Sequence, residues 1–315
     1  MKALGIDIGG TKIAFAICQD TEVTQYRQES SAKGSYEELL SALAAIISSY
    51  EAENSIGVVG VGIAAWLSKD RELILRSANL GFDQKYLRRD LENLVGIPVT
   101  VSNDADAAIW AEYIFLGRPT GTIVGFTLGT DVGGGIIRNG ELVTGSHGLA
   151  GELGHITVTD NGLECVCGDT GCLSTVASGT AIVQRARELA RENPQDFPYL
   201  LSNPQISIEE IGSSDIVRSI KSPTEALAIL KPAAVAIARA SKLLARVLDH
   251  DTLIIGGGVS ELGEPLLTLI RNEMEKNISM GPSKIVPQTY LASIGNKAGV
   301  LGSADLALNM LGEKL

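Results

Sequence analysis

The stretch GHITVTDNGLECVCGDTGC holds a histidine, His155, and three cysteines, Cys165, Cys167 and Cys172. The C-x-C-x4-C spacing, with two glycines between the last two thiols, makes a turn able to aim three thiolates at one point. The histidine upstream completes a Cys3His set, the tetrahedral donor set that suits zinc. Four protein ligands leave no open coordination position, so such a metal is expected to be structural rather than a Lewis acid. The competing reading is three buried free thiols acting as small hydrophobes. Reduced cysteines this closely spaced favour the metal. The remaining cysteine, Cys18, falls in an apolar run and reads as core.

A second constellation is VSNDADAAIW, with Asn103, Asp104 and Asp106 following an apolar run. Asn and Asp are good helix N-caps, and capping alone accounts for many such residues. The chemical reading is that one carboxylate takes the proton of a substrate hydroxyl attacking a γ-phosphate. Spacing does not choose between Asp104 and Asp106.

Three glycine-rich loops each end an apolar run: Gly9-Gly10 in ALGIDIGGTKIAFAI, residues 129–135 in FTLGTDVGGG, and residues 256–258 in TLIIGGGVS. Glycine lets backbone amides approach phosphate oxygens, and Thr11 and Lys12 add a hydroxyl and a cation beside the first pair. The first loop lacks the spacing of a Walker A motif and leads into a strand, so it is neither a P-loop nor a dinucleotide fingerprint. One such loop alone is as readily a plain hairpin turn. Three together favour a nucleotide clasped between two domains.

The elements that must position these groups follow from periodicity. Residues 3–8 and 11–17 read as paired strands, 35–50 as a helix, 57–67 as a buried strand, and 83–95 as an amphipathic helix. A strand at 97–102 turns into a helix near residue 105, and GRPTG at 117–121 marks a domain boundary. The strand–loop–strand theme returns at 121–143, where Asn139-Gly140 supplies a type I′ turn. Its return suggests a duplicated architecture. Long helices are expected at 178–193 and 224–249, a strand running into a helix start at 252–260, and a last helix at 298–312.

The chain of 315 residues is long enough for two domains, and 45% hydrophobic residues supply a sizeable core. A net charge of -11 and no basic patch argue against nucleic acid or an anionic membrane as partner. No apolar run reaches membrane-spanning length. The first residues lack a secretory pattern, which makes the cytoplasm the expected location and keeps the thiols reduced.

With these pieces in place the sequence resembles the ROK family of sugar kinases, the glucokinases of actinobacterial type among them. The stretches that carry the likeness are GIDIGGTK, SANLGF, NDADAAIWAEY, GLAGELGHI, CVCGDTGC, IIGGGVS and GNKAGVLGSADLA, in family order along the whole chain. The C-x-C-G-x-x-G-C element is specific to that family. The resemblance implies an α/β, actin-like ATPase (ribonuclease H-like) fold with two α/β domains around a nucleotide and sugar cleft. The domains are expected at residues 1–118 and 119–300, with a C-terminal helix near 301–315 packing back on the first. It further implies a homodimer or homotetramer, ATP and Mg2+ as cofactors, a structural Zn2+, and phosphorylation of the 6-hydroxyl of glucose.

Carried over residue by residue, the resemblance makes Asp104 the general base and Asn103 a ligand of sugar hydroxyls. Glu152 also binds the sugar, and His155 places one ring nitrogen on zinc and the other on the sugar. Ala65 and Asn79 fall at further substrate-binding positions. Asp7, Gly9, Gly10, Thr11 and Lys12 match the first phosphate loop, and Thr130, Asp131, Gly133 and Gly134 lie in the second. Gly257 and Gly258 match the nucleoside-binding turn.

Two positions depart from the family pattern. Where a glutamate usually follows the Gly-Cys pair and touches the sugar near C1 and C2, this chain has Ser174. A lost charge-assisted contact of that kind costs about 1.5–3 kcal/mol, so Ser174 implies weaker glucose binding or room for another substituent. Asp131 replaces a usual glycine, and its charge would repel a γ-phosphate by about 1–4 kcal/mol at contact distance, depending on screening. An outward rotamer or nearby Mg2+ would remove that conflict. These departures motivate two alternatives: a kinase for mannose, an N-acetylhexosamine or a substituted glucoside, and a sugar sensor without catalysis. Polyphosphate stands beside ATP as a conceivable donor. Repressors of this family carry an N-terminal helix-turn-helix, whereas this chain begins directly in a strand, which disfavours DNA binding.

Overall fold

The computed structural model describes residues 1–10, 12–19, 21–30, 34–77, 80–277 and 286–312. The chain divides into two compact units: Met1–Thr120 with Gly135–Gly151 and Ser293–Leu315, and Gly121–Gly134 with Glu152–Ala292. Two segments thus group differently from the expected boundaries. Residues 135–151 and 293–300 belong to the first unit.

In the first unit, β1 (Ala3–Ile8) pairs antiparallel with β2 (Lys12–Gln19), which pairs with β3 (Glu22–Ser30). The expected hairpin around Gly9-Gly10 is present. Helix α1 (Tyr36–Asn54) starts at a capping box made by Ser35 and Glu38. It leads to β4 (Val58–Ile63), parallel to β1 and buried along its whole length. The expected strand at 57–67 stops at Ile63, and Trp66–Leu67 (β5) pairs with β6 (Ile74–Ser77) in a separate small sheet completed by β7 (Phe82–Lys85). Residues 83–85 are therefore strand where a helix was expected. Their pairing with β6 overrides the local helical pattern, and α2 begins only at Leu87 (Leu87–Val95). The parallel strand β8 (Val99–Asn103) follows, then α3 (Asp104–Phe115). The sheet order is β3-β2-β1-β4-β8. Parallel strands covered on both faces read as continuous apolar runs, as VVGVGI does.

The second sheet is built from β9 (Thr122–Leu128), β10 (Val132–Arg138), β11 (Glu141–Leu142), β12 (Thr252–Gly256) and β13 (Gln288–Leu291), in the order β11-β10-β9-β12-β13. Asn139 (φ 52°) and Gly140 (φ 83°) make the expected tight turn between β10 and β11. The helices of the second unit are α4 (Ser174–Ala177), α5 (Gly179–Glu192), α6 (Ser213–Ser219), α7 (Pro223–Leu248) and α8 (Glu264–Asn277). The expected helix start after β12 is instead a 3-10 turn, Gly258–Leu262.

The last helix, α9 (Ala298–Met310), packs on β1, β4 and α3 of the first unit. That approach is backbone-close: a Cβ on Gly60 would overlap the carbonyl of Ser303. Buried Asp305 fixes the helix pair by accepting hydrogen bonds from Trp110 Nε1 at 2.6 Å and Arg118 Nη2 at 2.9 Å. Glu112 of α3 accepts from the backbone N–H groups of Ser293 and Ile294 at 3.0 and 2.9 Å. It thereby anchors the chain just before α9. Among the described residues no helix is long and apolar enough to cross a membrane.

Candidate active site

The parallel register sets Asp7 beside Gly62, and Gly62 beside Ser102, so β1, β4 and β8 end together. Ligands of α/β sheets gather outside the carboxyl ends of parallel strands. At that end Gly9 and Gly10 turn the chain, closed by a Gly9 N–H bond to the Lys12 carbonyl at 2.9 Å. Lys12 is exposed at the start of β2. Thr11 and Asn79 lie outside the described residues.

Asn103 caps α3: its Oδ1 accepts from the N–H groups of Ala105 and Asp106 at 2.9 and 3.1 Å, while its Nδ2 donates to the Ala65 carbonyl at 3.2 Å. The capping role and the placement of Ala65 are thus one arrangement. Asp104 occupies the first helical position and accepts from the Ala105 N–H at 2.9 Å. Burial raises its pKa above the usual carboxylate range, against the helix-end amides that lower it. Asp7 is pushed to about 7, first by burial and then by the Asp104 charge. Its carboxyl packs against Gly299 in the first turn of α9, where a Cβ would overlap it. Asp106 behaves differently. It is buried and paired with Arg71 Nη2 at 3.1 Å.

In the second unit the other two glycine loops lie side by side. β9 and β12 are parallel neighbours with Thr127 opposite Gly256, so residues 129–131 and 257–258 leave the sheet at the same end. Gly129 N–H closes a turn on the Asp131 carbonyl at 2.9 Å, with Thr130 and Asp131 exposed. Gly133 and Gly134 follow in β10. Gly257 (φ 79°) and Gly258 are exposed and open the 3-10 turn that Ser260 closes by donating to the Gly257 carbonyl at 2.7 Å.

Loop chemistry also explains the cysteine cluster. The bridges Thr157–Cys172 and Glu164–Thr170 fold residues 157–172 back on themselves. Gly168 takes φ 97°, a conformation costly for any side-chain-bearing residue, and turns Cys167 toward Cys172. The four ligand atoms of His155, Cys165, Cys167 and Cys172 lie within 4.8 Å of one another. His155 Nδ1 is 3.4 Å from Cys165 Sγ, and Cys167 Sγ is 3.6 Å from Cys172 Sγ. Tetrahedral ligation at zinc–ligand lengths near 2.0–2.3 Å puts donor atoms roughly 3.5–3.8 Å apart, so the residues fit that ion. Burial and the neighbouring thiols push Cys172 up to about 12. A cation would reverse that. The other ring nitrogen of His155 lies 3.9 Å from Glu152 Oε2. His155 therefore faces the thiols with one edge and the expected sugar ligand with the other.

Ser174, expected at a sugar-contact position, is buried at the start of α4. Its Oγ accepts from the Val132 N–H at 3.0 Å and donates to Asp131 Oδ1 at 3.4 Å. Sequence reasoning did not single out Arg71, Thr180 or Gly299. Arg71 sits in an ordinary polar turn with no signal. Thr180 stands in ASGT, a helix-start pattern visible beforehand, and Gly299 in the quoted GNKAGVLGSADLA.

Two α/β units, each with glycine loops at the carboxyl ends of parallel strands, define the actin-like ATPase fold class. The ROK family model matches residues 3–310, and the chain belongs to that family. It is 33% identical over 306 residues to a glucokinase of Streptomyces coelicolor, covering 96% of each chain. It is 33% identical over 321 residues to an N-acetylmannosamine kinase of Escherichia fergusonii, covering 100% of each. Among solved structures it superposes with TM-score 0.87 on a ROK family glucokinase from Streptomyces griseus in complex with glucose and AMPPNP. That match has 33% identity and covers 98% of this chain and 99% of the other.

Proposed function

We propose that this chain is an ATP-dependent glucokinase that phosphorylates the 6-hydroxyl of glucose, with Asp104 as the general base. The observation that carries the base assignment is the contrast between two aspartates two residues apart at the start of α3. Asp106 is held in a buried ion pair with Arg71. Asp104 lies at the carboxyl end of the parallel strands with its proton affinity raised by burial. A raised proton affinity suits a group that must accept a proton near neutral pH.

In the reaction, Asp104 takes the proton of the 6-hydroxyl as that oxygen bonds the γ-phosphorus, and the bond from phosphorus to the departing ADP oxygen breaks. Phosphoryl transfer asks the protein for positioning and charge stabilisation more than for covalent chemistry. Asn103, Glu152, His155, Ala65 and Asn79 are assigned to the sugar. The loops at Gly9–Lys12, Thr130–Gly134 and Gly257-Gly258 are assigned to the nucleotide. Mg2+ would neutralise charge on the transferring phosphate, and the Cys3His set would hold a structural Zn2+ that orients His155. A cytoplasmic location suits an enzyme that keeps its thiols reduced.

Asp104→Asn keeps the shape and removes the base. The rate of ADP release with glucose is expected to fall by about 10²–10⁴-fold, with the melting temperature retained. A variant turning over near the parental rate removes Asp104 from the mechanism.

A further inference from the structure

The two residues that depart from the family pattern, Asp131 and Ser174, touch each other. A hydroxyl offers one proton and two lone pairs. In Ser174 the Val132 N–H occupies a lone pair and the proton is directed to Asp131 Oδ1. The residues that follow hold the same loop: Gly179 N–H donates to the Gly129 carbonyl at 2.7 Å, and Thr180 Oγ1 donates to the Thr130 carbonyl at 2.7 Å. From the other side Gly154 lies so close to the Val132 carbonyl that a Cβ there would overlap it. The loop from Gly129 to Val132 is thus gripped along its length by residues on either side of the cysteine cluster.

We propose that Ser174, together with Thr180, is a positioning residue for the donor phosphate, acting through the Gly129–Val132 loop, and is not a ligand of the sugar. This rests on the reading of that loop as part of the nucleotide site. The Ser174 hydroxyl fixes one carboxylate oxygen of Asp131 on the α4 side of the loop, which is how a chain with an acidic residue there sets the direction of its charge. A glutamate at position 174 would put a second carboxylate against Asp131, so the serine and the aspartate belong together.

The test is a split between two affinities, measured by calorimetry with AMPPNP and with glucose on the full chain. Ser174→Ala leaves the Val132 N–H without its partner. It is expected to weaken AMPPNP binding roughly 3–10-fold, the scale of one lost hydrogen bond, and to raise KM for ATP alike. Glucose affinity should stay within about twofold of the parent. Ser174→Thr, which keeps the hydroxyl, should restore AMPPNP binding. Because Thr180 is exposed, Thr180→Val tests the same grip should Ser174→Ala fail to fold, and it should shift AMPPNP binding in the same direction. Weakened glucose binding with AMPPNP unchanged would make Ser174 a sugar ligand and overturn the proposal, as would no change in either. A parent chain that binds AMPPNP yet never phosphorylates glucose defeats the glucokinase reading alone. The AMPPNP ratio still judges the proposal. A parent that binds no nucleotide defeats both.

Discussion

Asp7 and Asp104 are carboxyls on one end of one sheet, and the Asp104 charge raises the cost of charging Asp7. Asp7 is pushed from 3.8 to about 7 by burial and then by Asp104. Below the lower value both folded and unfolded chains hold the proton. Between the two, the native state keeps a proton that the unfolded chain has released, so stability falls as pH rises through that window. Above it the full cost stands, about 4 kcal/mol at roughly 1.4 kcal/mol per pH unit. Asp7→Asn removes that cost. Thermal unfolding without ligands should find the variant more stable than the parent at pH 8 and equal to it near pH 4. Parallel melting curves at both values would contradict the assignment. The choice between Asp104 and Asp106 belongs to this scale too. Spacing left it open and the family resemblance pointed to Asp104; the ion pair that sets Asp106 apart is to Arg71, in a distant turn that no local pattern connects to α3.

The elements were legible wherever their reasons are local. The hairpin at Gly9-Gly10, the turn at Asn139-Gly140 and the capping box of α1 all rest on residues within a few positions of one another. The cluster of His155, Cys165, Cys167 and Cys172 spans more chain but is still local, gathered by one folded-back loop. Residues 83–85 misled because their pairing with β6 is settled across the chain. The partners of Ser174, Asp131 and Val132, are likewise beyond any local pattern, 43 and 42 residues away. The loop of residues 155–172 leaves Leu163 and Val166 exposed, so a bound metal should carry much of its stability. Protein purified without chelator should hold about one zinc per chain, and Cys172→Ala should lose the metal and melt at lower temperature. Metal-free protein with unaltered melting and unaltered glucose affinity would rule out the structural role.

At the scale of the whole molecule, likeness to known proteins does not choose the sugar. The chain is 33% identical both to a glucokinase and to an N-acetylmannosamine kinase over nearly its entire length. Nor does its net charge of -11 exclude an anionic nucleotide, since backbone amides in glycine loops are local donors that the overall field does not cancel. The choice falls to the groups proposed to hold the sugar, Glu152 and His155 among them. The most direct measurement is ADP release with Mg-ATP across glucose, mannose, N-acetylmannosamine and N-acetylglucosamine, compared as kcat/KM. The account predicts robust turnover with glucose, at least about tenfold above each of the others, a difference of about 1.4 kcal/mol in transition-state binding. Turnover confined to an N-acetylated sugar, or none with any sugar, would contradict it.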